Sequence, residues 1–235
     1  MKFFKKLWNS RHMLRYLHKT IYLNFRCLPF SQAIKLPIWL YRPHLISCKG
    51  KIIIWGGSKI RPGMIRMGFN MVSIYPQNGV TIENRGTMVF HGTCNIGNDS
   101  YLSVGSRSKV VFGDSFTATA SFKLASHYGM TFGDKVSIGW NCMFIDTDFH
   151  RLTRDDGKKV KAYGKINVGN NVWFGNNCIV MKKTVVPEFT TIAAGTMLSQ
   201  KLNTPQKAVV GNRKVVDVWQ MGIWRNFDDD EIMFD

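Results

Sequence analysis

No aspartate or glutamate precedes Glu83, whereas fourteen lysines and arginines do, among them Lys2, Lys5, Lys6, Arg11, Arg15, Lys19 and Arg26. The whole chain of 235 residues holds 15 acidic against 32 basic residues, a formal net charge of +17. An acid-free, cationic N-terminal part calls for an anionic partner. Apolar runs of about 18 residues are also missing, so no membrane-spanning helix is expected. Residues 21–41 are apolar but are broken by Arg26, Pro29, Lys35 and Pro37. The charged start is not followed by an apolar core and small-residue cleavage site, and the protein reads as cytoplasmic. No CxxC pair occurs, and the five cysteines (Cys27, Cys48, Cys94, Cys142, Cys178) are scattered and odd in number. Buried free thiols are expected, with neither disulfides nor metal ligation. No linker rich in Gly, Ser or Pro divides the chain, and no nucleic-acid-binding motif is present.

What the sequence does contain is a repeat. Up to about residue 50 the text is helical or mixed. In residues 2–20, Phe4, Leu7, Trp8, Met13, Leu14 and Leu17 fall largely on one side, with Lys and Arg around them. Such a helix either caps a domain or lies on an anionic membrane surface. From about Ile52, short apolar pieces are punctuated by Gly and Asn. An apolar residue directly precedes glycine at Ile96, Val104, Phe112, Phe132, Ile138, Val168 and Phe174, and five of the seven glycines are followed by Asn or Asp. Phe132, Ile138 and Phe144 are six apart, as are Val168, Phe174, Val180, Val186, Ile192 and Leu198. A period of six is too short for a helical hairpin. It fits a coil of very short parallel strands, each sending one side chain inward before the chain turns. An antiparallel sandwich would show longer alternation and variable turn spacing. Glycine and Asn/Asp are expected to supply left-handed backbone at the turns. The coil's open ends need caps, and residues 205–226 are expected to leave the coil and pack along its side or end.

Within the repeat, FGDKVSIGWNCMFIDTDFH is followed by the loop RLTRDDGKKVKAYGK and then by INVGNNVWFGNNCIVMKKTVVPEFTTIAAGTMLSQK. That ordered set resembles the hexapeptide-repeat acyltransferases, in particular the branch of galactoside, maltose, capsule and lipopolysaccharide O-acetyltransferases. Roughly a third of the chain, within residues 131–216, carries the likeness. The resemblance implies an all-β, left-handed parallel β-helix, a homotrimer, and acetyl-CoA as co-substrate without a metal. The expected organisation is a basic amphipathic helical segment at 1–50, the β-helix at 51–204 with a projecting loop at 151–165, and a C-terminal extension with an acidic tail at 205–235. Two departures touch the regions expected to meet CoA phosphates: Met181-Lys182-Lys183 replaces the family's IxxGV, and Gly211-Asn212-Arg213-Lys214 replaces its GxPAK.

The resemblance puts His150 in the place of the catalytic histidine. Imidazoles suit proton transfer near neutral pH, and Asp146 or Asp148 is close enough in sequence to orient the ring. With strict alternation, Asp146, Asp148 and His150 point the same way. Trp173 is similar to the tryptophan that packs on the acyl-CoA arm and should face out, since Phe174 holds the inward position. Backbone N–H groups around Gly175 and Asn176 match the donors on the oxyanion side. Ala194 and Gly195 match the small residues of the pantetheine channel, and Ser199, Lys201, Arg213 and Lys214 are candidates for the CoA phosphates. Ser126, His127, Tyr128 and Asn141 are candidate acceptor contacts. The expected reaction is direct acetyl transfer, in a ternary complex, to a hydroxyl of a sugar or cell-surface glycan precursor. With the basic N-terminal part at the inner membrane surface, a lipid-linked glycan is the candidate acceptor. An N-acyltransferase acting on an aminosugar and a serine acetyltransferase-like enzyme share the fold. A non-catalytic β-helix that binds anionic polymers or membranes would explain the charge but leaves DTDFH and VWFG without a role. The γ-class carbonic anhydrases use three zinc-binding histidines, two of them five residues apart, whereas Phe132 stands five after His127.

Overall fold

Strands of two to six residues carry the chain from Ile38 to Val218 and alternate regularly among three sheets. The structure is a computed structural model that describes residues 15–55, 57, 59–150, 153–158, 160–211 and 215–218. Sheet A contains Ile38–Leu40, Ile65–Phe69, Cys94–Gly97, Phe116–Ala118, Ser137–Ile138, Trp173–Phe174, Thr191–Ile192, Ala208–Val210 and Val215–Val218. Sheet B contains Pro43–Cys48, Val80–Asn84, Ser100–Val104, Lys123–Ser126, Met143–Ile145, Ile179–Met181 and Met197–Leu198. Sheet C contains Lys51–Ile54, Thr87–Phe90, Lys109–Phe112, Met130–Phe132, Ile166–Val168 and Val185–Val186. Every third strand pairs in parallel with the one before it, which makes the molecule a left-handed parallel β-helix with three corners. In the last coils the paired residues Val168 and Val186, Phe174 and Ile192, and Val180 and Leu198 are each 18 apart, three hexads per turn. The first two strands lie before residue 51, so the coil's sheets take in a stretch that reads in sequence as part of the N-terminal segment.

The inward column is aromatic through the middle of the coil. Phe90, Phe112 and Phe132 stack nearly parallel at 5.0 and 5.7 Å, and Phe144 and Phe174 continue the column edge to face. Flat rings suit a narrow prism in which successive layers are one strand spacing apart. The turns differ from expectation in an informative way. Left-handed backbone falls on Lys135, Asn141, Asn171 and Asn177, two residues after Gly133, Gly139, Gly169 and Gly175, while those glycines are not left-handed. Their reason is proximity: a Cβ on Gly139 would lie 2.8 Å from the Asn176 nitrogen, and one on Gly175 would lie 2.7 Å from the Ala194 nitrogen. Coils therefore touch backbone to backbone at these corners.

Both ends are closed. Helix α1 (Leu17–Cys27) lies against the first strands of sheets A and B, followed by the short α2 (Phe30–Ala33). The edge strand Ile38–Leu40 has no strand on its outer side, and α1 supplies the missing partners. Asn24 accepts from the Ile38 N–H and donates to its carbonyl (2.8 Å), while Thr20 Oγ1 accepts from the Leu40 N–H. Side chains thus stand in for a neighbouring strand. At the other end Ala208–Val210 extends sheet A, and Val215–Val218 pairs antiparallel with it, reversing the chain across the last coil. Residues 1–14 and 219–235, with most of the basic N-terminal pattern and the acidic tail, lie outside the described residues. All five cysteines are free and buried; burial pushes the Cys94 thiol well above its ordinary value.

Candidate active site

The corner between sheets B and C gathers most of the chemistry. Alternation along Met143–Ile145 carries one residue further, so Asp146 points inward like Phe144 and is fully buried, and it stops there: Asp148 and His150 do not follow it into the core. Its carboxylate accepts four hydrogen bonds from the coil above: Ser126 Oγ at 2.8 Å, and the backbone N–H groups of His127, Tyr128 and Gly129 at 2.8, 2.9 and 2.7 Å. A buried carboxylate so surrounded by donors organises the 126–129 turn. Ser126 is buried in the same network and also hydrogen-bonds Ser108, so it braces the corner rather than facing outward.

Asp148 is engaged differently. It forms an ion pair with Lys182, and its backbone N–H donates to Ala162 O. Lys182 also donates to Lys161 O. The Met181-Lys182-Lys183 departure from the family pattern therefore has a structural use: Lys182 clasps the projecting loop to its root. The loop leaves and returns as a narrow stem, with Thr147 bridged antiparallel to Tyr163 and the Gly164 N–H donating to Asp146 O. His150 stands exposed just beyond this stem, after Phe149 with its φ of 57°. Among the described residues, neither Asp146 nor Asp148 hydrogen-bonds His150. Asp146 is turned into the core against the 126–129 turn, and Asp148 is drawn to Lys182.

Exposed rings and a cation line the same corner. His127 packs edge-on against Phe149 at 4.9 Å, and Tyr128 lies 4.6 Å from Tyr163. Lys161 Nζ sits 4.9 Å from the Tyr163 ring centre and 5.4 Å from that of Tyr128. Phe149, Lys161 and Tyr163 carry no repeat signal, which is why sequence reasoning passed over them. His91 follows a sheet C strand and occupies the corner between sheets C and A, whereas His127 occupies the one between B and C. The two histidines thus do not share a corner for a metal.

The corner between sheets A and B holds a cleft of about 300 Å³ lined by Thr119, Ser137, Trp140, Trp173, Thr191 and Ala194, with Gly139 and Gly175 in its wall. Trp173 faces out, as Phe174 fills the core. Trp140 was missed in sequence, although it follows Gly139 as Asn176 follows Gly175, in strands that pair at Ile138 and Phe174. The Gly175 N–H donates to Ile192 O at 2.8 Å within the ladder. The N–H groups of Trp140, Asn176 and Ala194, at successive coils of this corner, have no such partner among the described residues. Gly195 lies nearby with φ 72°. Asn141, left-handed at the same corner, donates its amide to Asn177 and accepts from Lys123, so it belongs to a turn ladder.

One chain does not bring all of these groups together. Ser199 and Lys201 follow the last sheet B strand, at the corner of His150 and not that of Trp173. Arg213 and Lys214 lie outside the described residues.

Comparison with known proteins adds relatives. No family model matches the chain. It is 30% identical over 106 residues to the uncharacterized 24.8 kDa protein in cps region of Klebsiella pneumoniae, covering 45% of this chain and 46% of that protein. It is 27% identical over 103 residues to the galactoside O-acetyltransferase of Escherichia coli (strain K12), covering 43% and 49%. The chain spans about half the length of the curated relatives it matches. Among solved structures, the polySia specific acetyltransferase NeuO aligns with a TM-score of 0.45 at 16% identity, over 81% of this chain and 79% of that one. The polysialic acid O-acetyltransferase OatWY aligns at 0.41 and 15%, over 82% and 92%. The resemblance to hexapeptide-repeat acyltransferases rests on the sequence relatives and on the coil itself.

Proposed function

We propose that the chain is an acetyl-CoA-dependent O-acetyltransferase acting on a hydroxyl of a sugar or glycan precursor. The observation that carries this reading is the cleft between Trp140 and Trp173. Its wall is thinned by glycine, and among the described residues it keeps the backbone N–H groups of Trp140, Asn176 and Ala194 outside the ladder. An apolar slot of this size suits the extended arm of an acyl thioester rather than a whole nucleotide, and a preorganised N–H suits the thioester oxygen as it gains charge. His150 takes the proton of the acceptor hydroxyl as its oxygen attacks the thioester carbonyl. The thiolate leaves, and the acetyl group passes directly to the acceptor in a ternary complex. The exposed Tyr128, Tyr163 and Phe149 offer flat faces to a sugar ring, and Lys161 offers a donor beside them.

Because His150 and the cleft occupy different corners of one prism, the reading includes a homotrimer in which one copy supplies the base and its neighbour the thioester cleft. It is supported by the outward side of sheet B, where Met143, Ile179 and Met197 line up beside Ile145 and Met181, an apolar row that a neighbour would cover. The acid-free N-terminal part would hold the enzyme at an anionic inner membrane surface, with a lipid-linked glycan as acceptor. No helix among the described residues is long and apolar enough to cross a membrane.

Thiol release from acetyl-CoA, measured against a panel of glycans and nucleotide sugars, tests the reaction. Turnover should require a hydroxylated acceptor. Trp173→Ala should raise the KM for acetyl-CoA about tenfold, the equivalent of about 1.4 kcal/mol, with a smaller change in kcat. No acceptor-dependent release with any glycan, or an unchanged KM in the variant, would overturn the assignment.

A further inference from the structure

The helices at the N-terminal end bury Leu23, Cys27 and Ala33 but also turn large apolar side chains outward. A helix packed on a domain normally turns its apolar stripe inward and its polar side to water. In α1 the buried side includes Thr20 and Asn24, which hydrogen-bond the edge strand. The side chains of Leu17, Ile21 and Phe25, four residues apart and thus on one face, are 40–46% exposed. The surface continues onto and just past α2, where Phe30 is 72% and Ile34 55% exposed, and Phe30 meets Phe25 edge-on at 6.0 Å. Five large apolar side chains therefore form one outward face that the fold does not use. Arg15, Arg26 and Lys35 stand exposed in the same segment, and no carboxylate occurs anywhere before Glu83.

The geometry points to this α1–α2 face as the part of the molecule that lies in the headgroup region of an anionic bilayer, with Phe25, Phe30 and Ile34 reaching toward the acyl chains and Arg15, Arg26 and Lys35 among the phosphates. The inference deepens the membrane contact proposed above and rests on it; it names the surface and separates it from residues 1–14. Charge selects the occupant. A second copy docked face to face across a two-fold axis would set Arg15, Arg26 and Lys35 against their own counterparts. A bilayer with anionic headgroups accepts both the cations and the rings. The face also sits on a rigid base, because Asn24 and Thr20 tie α1 to the edge strand and Lys19 Nζ donates to Pro43 O, in the first strand of sheet B, at 3.0 Å. Docking would thus hold the whole coil rather than a tethered tail.

The test is co-sedimentation of the full chain with phosphatidylcholine vesicles, with and without phosphatidylglycerol, for wild type and for the triple variant Phe25→Ser, Phe30→Ser, Ile34→Ser. All three side chains are exposed, so thermal stability and thiol release with a soluble acceptor should stay at wild-type levels. Wild type is expected to bind the phosphatidylglycerol vesicles, less so as salt rises, and the triple variant to lose about tenfold or more of that partitioning. Wild-type binding matched by the triple variant would overturn the α1–α2 assignment while leaving membrane contact itself standing. Absence of wild-type binding would overturn both. A triple variant that instead changes the oligomeric state in sedimentation velocity would mark the face as a contact between copies and overturn the assignment.

Discussion

Replacing His150 with alanine should lower the kcat/KM for acetyl transfer by roughly 10²–10⁴-fold, the usual contribution of a positioned general base. The size of the fall follows from the chemistry of the acceptor. A sugar hydroxyl attacks a thioester poorly until its proton has somewhere to go, and among the described residues of the B–C corner His150 is the exposed imidazole at the loop stem. His127, the other ring there, is packed against Phe149. Because His150 is exposed and makes no hydrogen bond with the described residues, its removal should leave thermal stability, trimer formation and CoA binding unchanged. Retention of turnover within a few-fold of wild type would end the assignment of His150 as base. A parallel loss of CoA binding or assembly would move its role from chemistry to structure.

Asp146 should show the opposite pattern. Asp146→Ala removes a fully buried carboxylate that accepts four hydrogen bonds, three of them from consecutive backbone N–H groups. Those donors would be left without acceptors inside the coil, at a cost of about 3–5 kcal/mol. At roughly 2–4 °C per kcal/mol for a chain of this size, the melting temperature should fall by about 6–20 °C. Asp146→Asn should do less harm, because its amide oxygen in the place of Oδ2 still accepts from Ser126, Tyr128 and Gly129, and the amide nitrogen meets the His127 N–H alone. Activity should fall with the His127–Gly129 turn, yet the tryptophan cleft at the other corner, proposed above for CoA, should still bind it. Differential scanning fluorimetry and CoA titration distinguish the two. A melting temperature within about 2 °C of wild type in Asp146→Ala would show that the network is not needed to hold the corner.

The two aspartates also mark how far the sequence could be read. Hexads are visible because each strand must send one side chain inward, and Phe132, Ile138 and Phe144 do so in the fold as in the text. The turns were half legible: the Gly-Asn and Gly-Asp pairs mark them, but the left-handed residue is the next one along, such as Asn141 or Asn177. Glycine is there because a neighbouring coil presses on it, a fact about residues a whole turn away. The first two strands were hidden for a related reason. Ile38–Leu40 and Pro43–Cys48 lack the glycine-marked hexad, and coils there are irregular: Ile38 pairs with Ile65, 27 residues on, rather than 18. At the site, the position of His150 could be read from the ordered motifs, but its surroundings could not. Whether Asp148 faces His150 or Lys182 depends on a lysine 34 residues downstream, brought close by the coil. That the tryptophan cleft and the histidine occupy different corners emerges only when hexads are counted by threes.

That count has a further meaning for the molecule. From Pro43–Cys48, beneath the capping helix, to Met143–Ile145, which leads into His150, sheet B takes four strand steps, or ~19 Å at about 4.8 Å each. Each coil contacts only its neighbours, so a whole coil added or removed between those points would shift the distance by one step while leaving the chemistry at either end intact. The number of hexads thereby works as a ruler, graduated in single strand spacings, for how far from the capped end of the prism His150 and its loop stem are held.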